Sequence, residues 1–217
     1  PYTTLFRSPC ADTVLSPDSL AYEKTKRAIY YPGFHELAYL HPRVFTPNPD
    51  IIKKYGISSA DKYFILRFNA FKAHHDIHEG GMNIEQKRRL VRLFSEYGRV
   101  FITTESDLVG EFSQYRLPIA PEDIHHFLFF AQMLVSDSQT MTSEAAVLGT
   151  PSFRCNSFAG RLSILEEEEK KYNLTQAFLP HQFDWMLGKI EELLVLQNIK
   201  TYWQEKRQRM LRDKIDV

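Results

Sequence analysis

From residue 62 onward, short apolar runs alternate with stretches whose apolar residues recur at helical spacing. Tyr63-Phe64-Ile65-Leu66 is nearly continuous and ends at Arg67-Phe68-Asn69, as a strand covered on both faces does. Leu90, Val91, Leu93 and Phe94 form the stripe of a helix that Gly98 stops. Val100 to Thr104 predicts a second strand. Pro121, followed by Glu122 and Asp123, opens a helix through Phe127 and Phe130, since proline fits its first turn and acids suit its dipole. Met133 to Ser136 is a third strand, and Asp137-Ser138-Gln139-Thr140 turns into a helix ending at Gly149. Pro151 to Cys155 is a fourth strand, followed by a charged helix around 161–171. Leu174 to Leu179 is a fifth, and two helices complete the chain. Five strands alternating with helices predict an α/β fold: a Rossmann-like parallel sheet flanked by helices.

The N-terminal part patterns differently. Residues 1–8 lead into neither helix nor strand and are set aside as a non-native or disordered start. Two β-prone pieces, Asp12 to Leu15 and Arg27 to Tyr31, precede the break at Pro32-Gly33. Leu40 to Pro49 carries Pro42, Pro47 and Pro49 and reads as a surface linker. Two strands without helices cannot make a sheet domain. The expected division is a remnant of an N-terminal domain with its linker over 9–49, and a Rossmann-like nucleotide-binding domain over 50–217.

Composition narrows the function classes. The 217 residues suit one or two domains, and 43% apolar content with 27 basic against 27 acidic residues excludes a disordered chain. The same balance argues against a nucleic-acid binder that works by neutralising phosphates. The longest apolar stretch, Phe127 to Val135, is interrupted by Gln132 and is too short for a membrane span. No signal-peptide pattern is present, and Cys10 and Cys155 offer neither a disulfide framework nor metal-ligand spacing. A cytoplasmic setting is expected.

Ligands of open parallel sheets bind beyond the carboxyl ends of the strands. The residues there are Arg67, Asn69, Lys72 and His74-His75-Asp76, then Thr104 and Glu105, then Asp137 to Thr140 with Glu144, and finally Arg154 and Asn156. A strand that delivers the chain into a hydroxyl-rich helix start suits a phosphate, because the first amides of the helix are unpaired and its dipole is positive there. Ser138 and Thr140 supply donors, Gln139 stands between them, and Glu144 lies one turn beyond Thr140 on the same face, suited to ribose hydroxyls. Arg67 and Arg154 read as the ends of adjacent strands that would grip a diphosphate, with pairing to Asp76 or Glu105 as the plainer role. The plainer reading of the helix is an ordinary cap with Glu144 on a solvated face.

Other clusters offer different chemistry. His74 and His78 are four apart, but Gly80-Gly81 follows and no complete ligand set is visible, so neither metal nor cofactor is assigned. His75 or Asp76 would instead contact substrate or form a polar loop. His125-His126 reads as one packed and one solvated residue, and His35 or Glu36 would reach a ligand from a hinge ending at His41. Glu166 to Glu169 followed by Lys170-Lys171 reads as a solvated helix face, and Lys206 to Arg209 as surface. Cys155 has no basic partner in sequence and is not assigned as a nucleophile.

The segment around Asp137-Ser138 resembles the nucleotide-binding element in the C-terminal domain of UDP-N-acetylglucosamine 2-epimerases and the wider GT-B glycosyltransferase fold. Asp137, Ser138 and Glu144 match, and Gln139 and Thr140 stand where the epimerases carry glycines. Three further segments, Tyr31 to Pro42, Arg67 to Phe71 and Arg154 to Phe158, resemble an uncharacterised prokaryotic domain-of-unknown-function family, number 354, related to those epimerases. The resemblance covers residues 9–217. It implies the C-terminal half of a GT-B-type two-domain protein, a nucleotide-sugar ligand held by Arg67, Asn69, His75, Asp137, Ser138, Gln139, Thr140, Glu144, Arg154 and Asn156, and a fragment lacking the N-terminal catalytic half. The partners expected are that ligand and the N-terminal domain, with self-association left open and no nucleic acid or membrane. The alternatives are a non-catalytic α/β binding or assembly module and, more remotely, a metal-dependent hydrolase using the histidine cluster.

Overall fold

The computed structural model describes residues 12–20, 27–58, 60–68, 81–104, 108, 110–160 and 163–217. The uninterrupted apolar runs become β3 (Tyr63–Phe68), β4 (Arg99–Thr104), β5 (Met133–Ser136), β6 (Ser152–Cys155) and β7 (Thr175–Phe178). They pair in parallel in the order β4-β3-β5-β6-β7. The expected parallel α/β sheet is therefore present. The N-terminal pieces form β1 (Val14–Pro17) and β2 (Ala28–Tyr31), a separate parallel pair with Leu15 opposite Ile29.

The helices are α1 (Leu37–Leu40), α2 (Pro49–Lys54), α3 (Ile84–Ser95), α4 (Ile124–Phe130), α5 (Gln139–Leu148), α6 (Ser163–Lys170), α7 (Phe183–Leu194) and α8 (Ile199–Asp213). Strand alternation assigns them to faces. The Tyr63 hydroxyl donates to the Phe127 carbonyl of α4 at 2.7 Å, and that of Ser152 to the Thr142 carbonyl of α5 at 3.4 Å. On the other face Phe64 stacks on Phe94 of α3, and Phe178 meets Trp185 of α7. An Arg89–Asp184 ion pair joins α3 to α7.

Local chemistry fixes the helix ends. Asn83 and Gln86 form a reciprocal capping box at the start of α3. In the stretch expected to be a linker, Pro49 takes the first position of α2 while the Asn48 side chain accepts from the Asp50 amide. Gly149 ends α5 at φ 73°, where a Cβ would meet the Gln204 and Arg207 side chains. Phe34, Leu37 and Leu40 are fully buried in the same core as the sheet.

Two surface expectations are corrected. The four-glutamate run is covered, with Glu168 0% exposed and receiving the Ser143 hydroxyl. Glu169 accepts from the Ala177 amide, and Glu167 pairs with Lys214, itself 1% exposed at its side chain. Helical pairs four apart, Glu166–Lys170 and Glu167–Lys171, do form, yet the opposite side of α6 packs on α5 and the C-terminal tail. In the basic stretch Arg207 is buried, its Nε donating to the Val147 carbonyl at 2.9 Å. Together with Lys200 and Gln204 it satisfies carbonyls that α4 and α5 leave unpaired at their C-terminal ends.

Candidate functional site

The chain leaves β3 for β4 on one side and later returns to β5 on the other. The crevice above β3 and β5 is therefore the topological switch point of the sheet. The Asp137 amide donates to the Arg67 carbonyl at 3.1 Å and closes the floor of this crevice. Arg67 and Arg154 are not on adjacent strands, because β5 lies between them. They share a rung instead. The register aligns Thr103, Arg67, Ser136, Arg154 and Ala177 across all five strands. Residues on one rung point to one face, so both guanidinium-bearing residues flank Ser136 on the α5 side, about 10 Å apart at two strand spacings.

Ser136 shapes the turn into α5. Its Oγ accepts from the Ser138 amide at 2.7 Å, and Thr142 donates its hydroxyl to the Ser138 carbonyl at 2.6 Å. Ser138 is the N-cap, with extended backbone, yet its side chain makes no capping bond. Thr140 is exposed and Gln139 half-buried on the first turn, where the helix is rich in unpaired donors.

Arg154 is 1% exposed, and among the described residues neither its Nη1 nor its Nη2 has a hydrogen-bond partner. Burial lowers its pKa, an effect that the nearby carboxylates of Glu169, Glu166 and Glu168 oppose. A buried guanidinium normally binds through several of its donors, so this side chain retains unused hydrogen-bonding capacity. Arg67 is half-buried, with Nη1 donating to Thr103 Oγ1 at 3.3 Å.

Asp137 follows Ser136 and turns toward the opposite face. It is buried, its carboxylate packed where a Cβ on Gly81 would stand, and its field raises the proton affinity of buried Lys87 against the effect of burial. Asn156 donates to the Asp137 carbonyl at 2.9 Å and accepts from the Phe158 amide at 3.0 Å. These two residues tie the exits of β5 and β6 together.

Glu144 is neither solvated nor sealed, at 13% side-chain exposure. Its Oε1 accepts from the Tyr39 hydroxyl and from His125 Nε2, both at 3.1 Å. His125 and His126 are both half-buried and both bonded, His126 Nδ1 accepting from the Asn48 amide at 3.0 Å, which corrects the packed-and-solvated expectation. Ser136, Tyr39 and His125 were not legible as site residues, since nothing in spacing relates positions 39, 125 and 144. Burial raises the Cys155 thiol to about 12, in keeping with its not being assigned as a nucleophile. Asn69 and His75, with Lys72, His74, Asp76, His78 and Glu105, lie outside the described residues. Among the described residues no group of histidine, cysteine and carboxylate side chains could hold a metal, and no helix is long and apolar enough to cross a membrane.

No family model matches the sequence, and no curated protein matches it. Solved structures do match its shape. The wall teichoic acid polymerase TagF, in a variant soaked with CDPG, aligns over 98% of this chain and 56% of its own at 15% identity, with TM-score 0.54. Sucrose-phosphate synthase from Thermosynechococcus elongatus aligns over 98% and 58% at 14% identity, with TM-score 0.53. The fold is that of a GT-B glycosyltransferase domain. This chain spans just over half the length of those structures.

Proposed function

We propose that this chain is the nucleotide-sugar-binding, C-terminal domain of a GT-B-type protein, acting with an N-terminal domain that carries most of the catalytic groups. The observation that carries the reading is the rung at the switch point. Two arginines flank Ser136 beneath the start of α5, and one of them, Arg154, has buried donors without acceptors among the described residues. A diphosphate at Ser138 would meet the first amides of α5, the unused Ser138 hydroxyl and a guanidinium on either side. Glu144, farther along the helix, would receive the ribose, with Gln139 and Thr140 at the mouth. Asp137 and Asn156 would hold the strand exits in place, and Asn69 and His75 would contribute from the segment after β3. The resemblance to UDP-N-acetylglucosamine 2-epimerases favours a uridine nucleotide. Sugar transfer and epimerisation are both open to such a site.

Calorimetric titration with UDP, with inorganic pyrophosphate as competitor, tests the reading. Saturable UDP binding that pyrophosphate displaces, and that Arg154→Met weakens at least tenfold, supports it, charged hydrogen bonds being worth about 1.5–3 kcal/mol. Absence of binding at millimolar UDP would overturn it.

A further inference from the structure

The Glu144 carboxylate is held by two elements other than its own helix. Tyr39 reaches it from α1 and His125 from α4, and both donate to the same oxygen, Oε1. Oε2 accepts from no described residue. Tyr39 is set by its single-turn helix, whose two leucines, Leu37 and Leu40, are buried, while its phenol reaches Glu144 of α5. Its ring lies against the His125 imidazole at 5.5 Å between centroids, and Phe45 packs edge-on to that imidazole at 6.1 Å. Burial, and then the Glu144 and Glu36 carboxylates, raise the pKa of the Tyr39 phenol, so it keeps its proton and stays a donor. An unrestrained glutamate on a helix samples several rotamers and must be ordered when a ligand binds. This one is ordered beforehand.

We infer that Tyr39 and His125 are positioning residues, which fix Glu144 so that Oε2 alone meets a ribose hydroxyl and thereby set discrimination between ribo- and 2′-deoxyribonucleotides. The inference rests on the nucleotide reading above and adds to it the residues that impose sugar selectivity. A preorganised acceptor loses more when the matching hydroxyl is missing than a mobile one does, because it cannot turn to water. The hydrogen bonds themselves lie at a partly exposed site, so removing them costs little folding stability.

The experiment is calorimetric titration of the chain with UDP and with 2′-deoxy-UDP, using wild type, Tyr39→Phe, the Tyr39→Phe/His125→Ala double variant and Glu144→Ala. Wild type is expected to prefer UDP by about tenfold or more, as a site built around a hydroxyl does. The double variant and Glu144→Ala should both fall to near-equal affinities, Tyr39→Phe lying between, with thermal melting of Tyr39→Phe close to wild type. Wild-type discrimination retained in the double variant would overturn the inference, as would its retention in Glu144→Ala. Equal binding of the two nucleotides by wild type would overturn this inference and leave the nucleotide reading standing. No UDP binding by wild type would sink both.

Discussion

Ser143 donates its hydroxyl proton to Oε1 of Glu168 at 2.6 Å, and both residues are buried. The Glu36 carboxyl arrives from the segment before α1, and the same serine favours its charged form against the effect of burial. One hydroxyl has one proton to give, and among the described residues the buried Oε2 atoms of both glutamates have no partner. Burial raises both carboxyl pKa values, strongly for Glu168, and the two charges oppose each other. Arg154 lowers that of Glu168 in part, and backbone hydrogen bonding, Ser143 and His35 lower that of Glu36, while Glu167 beside Glu168 and Glu144 beside Glu36 add to the rise.

That relationship has a pH signature. A carboxyl whose folded pKa exceeds its unfolded value keeps a proton in the native state that the unfolded chain has released. Stability then falls as pH rises from the ordinary carboxylate range, 4.5 for a free glutamate, through the raised folded values. Melting followed across that range should show a decline with pH that Glu168→Gln flattens, with the variant more stable than wild type at the alkaline end. A wild-type profile matched by the variant at every pH would show that Glu168 is ionised throughout.

Lys200 caps the C-terminal end of α4, donating to both the Phe129 and the Ala131 carbonyls. Lys200→Met keeps the length of the side chain and strands both acceptors. The expected loss is about 1–3 kcal/mol, read by urea unfolding. A change within experimental error would mean that water reaches those carbonyls.

Gly81 has no room for a side chain, because a Cβ would strike the Asp137 carboxylate. Gly81→Ala should destabilise by about 1–3 kcal/mol, as overpacking does. The Asp137 Cβ stands in the way as well as the carboxylate, so only removing the whole side chain relieves the clash, and the Gly81→Ala/Asp137→Gly pair should cost less than the sum of the single variants. Strict additivity in that cycle would show that the two positions do not meet.

Ser138 is a helix cap that makes no capping bond. Replacing a bonded cap with alanine typically costs about 1 kcal/mol. Here Ser138→Ala should leave the melting temperature almost unchanged while weakening UDP binding. A clear loss of stability with unaltered binding would return the hydroxyl to a purely structural role.

The α/β class and the order of elements were legible in the sequence because a parallel strand buried on both faces must be apolar nearly throughout. The runs at Tyr63, Val100 and Met133 are too short for helices and suit such strands. The start of α5 was legible for a similar reason, since a strand running into Ser138 and a polar first turn is a local pattern. Contacts between distant positions were not. That Ser136 stands between Arg67 and Arg154 depends on strand order, which a crossover connection does not write into spacing. The burial of Glu168 depends on which side of α6 meets α5, although its neighbours suggest a water-facing helix. The meeting of Tyr39, His125 and Glu144 depends on three helices converging. Local composition determines which elements form, because each must satisfy its own backbone and bury its own apolar face. Only packing decides which of their polar side chains share an atom.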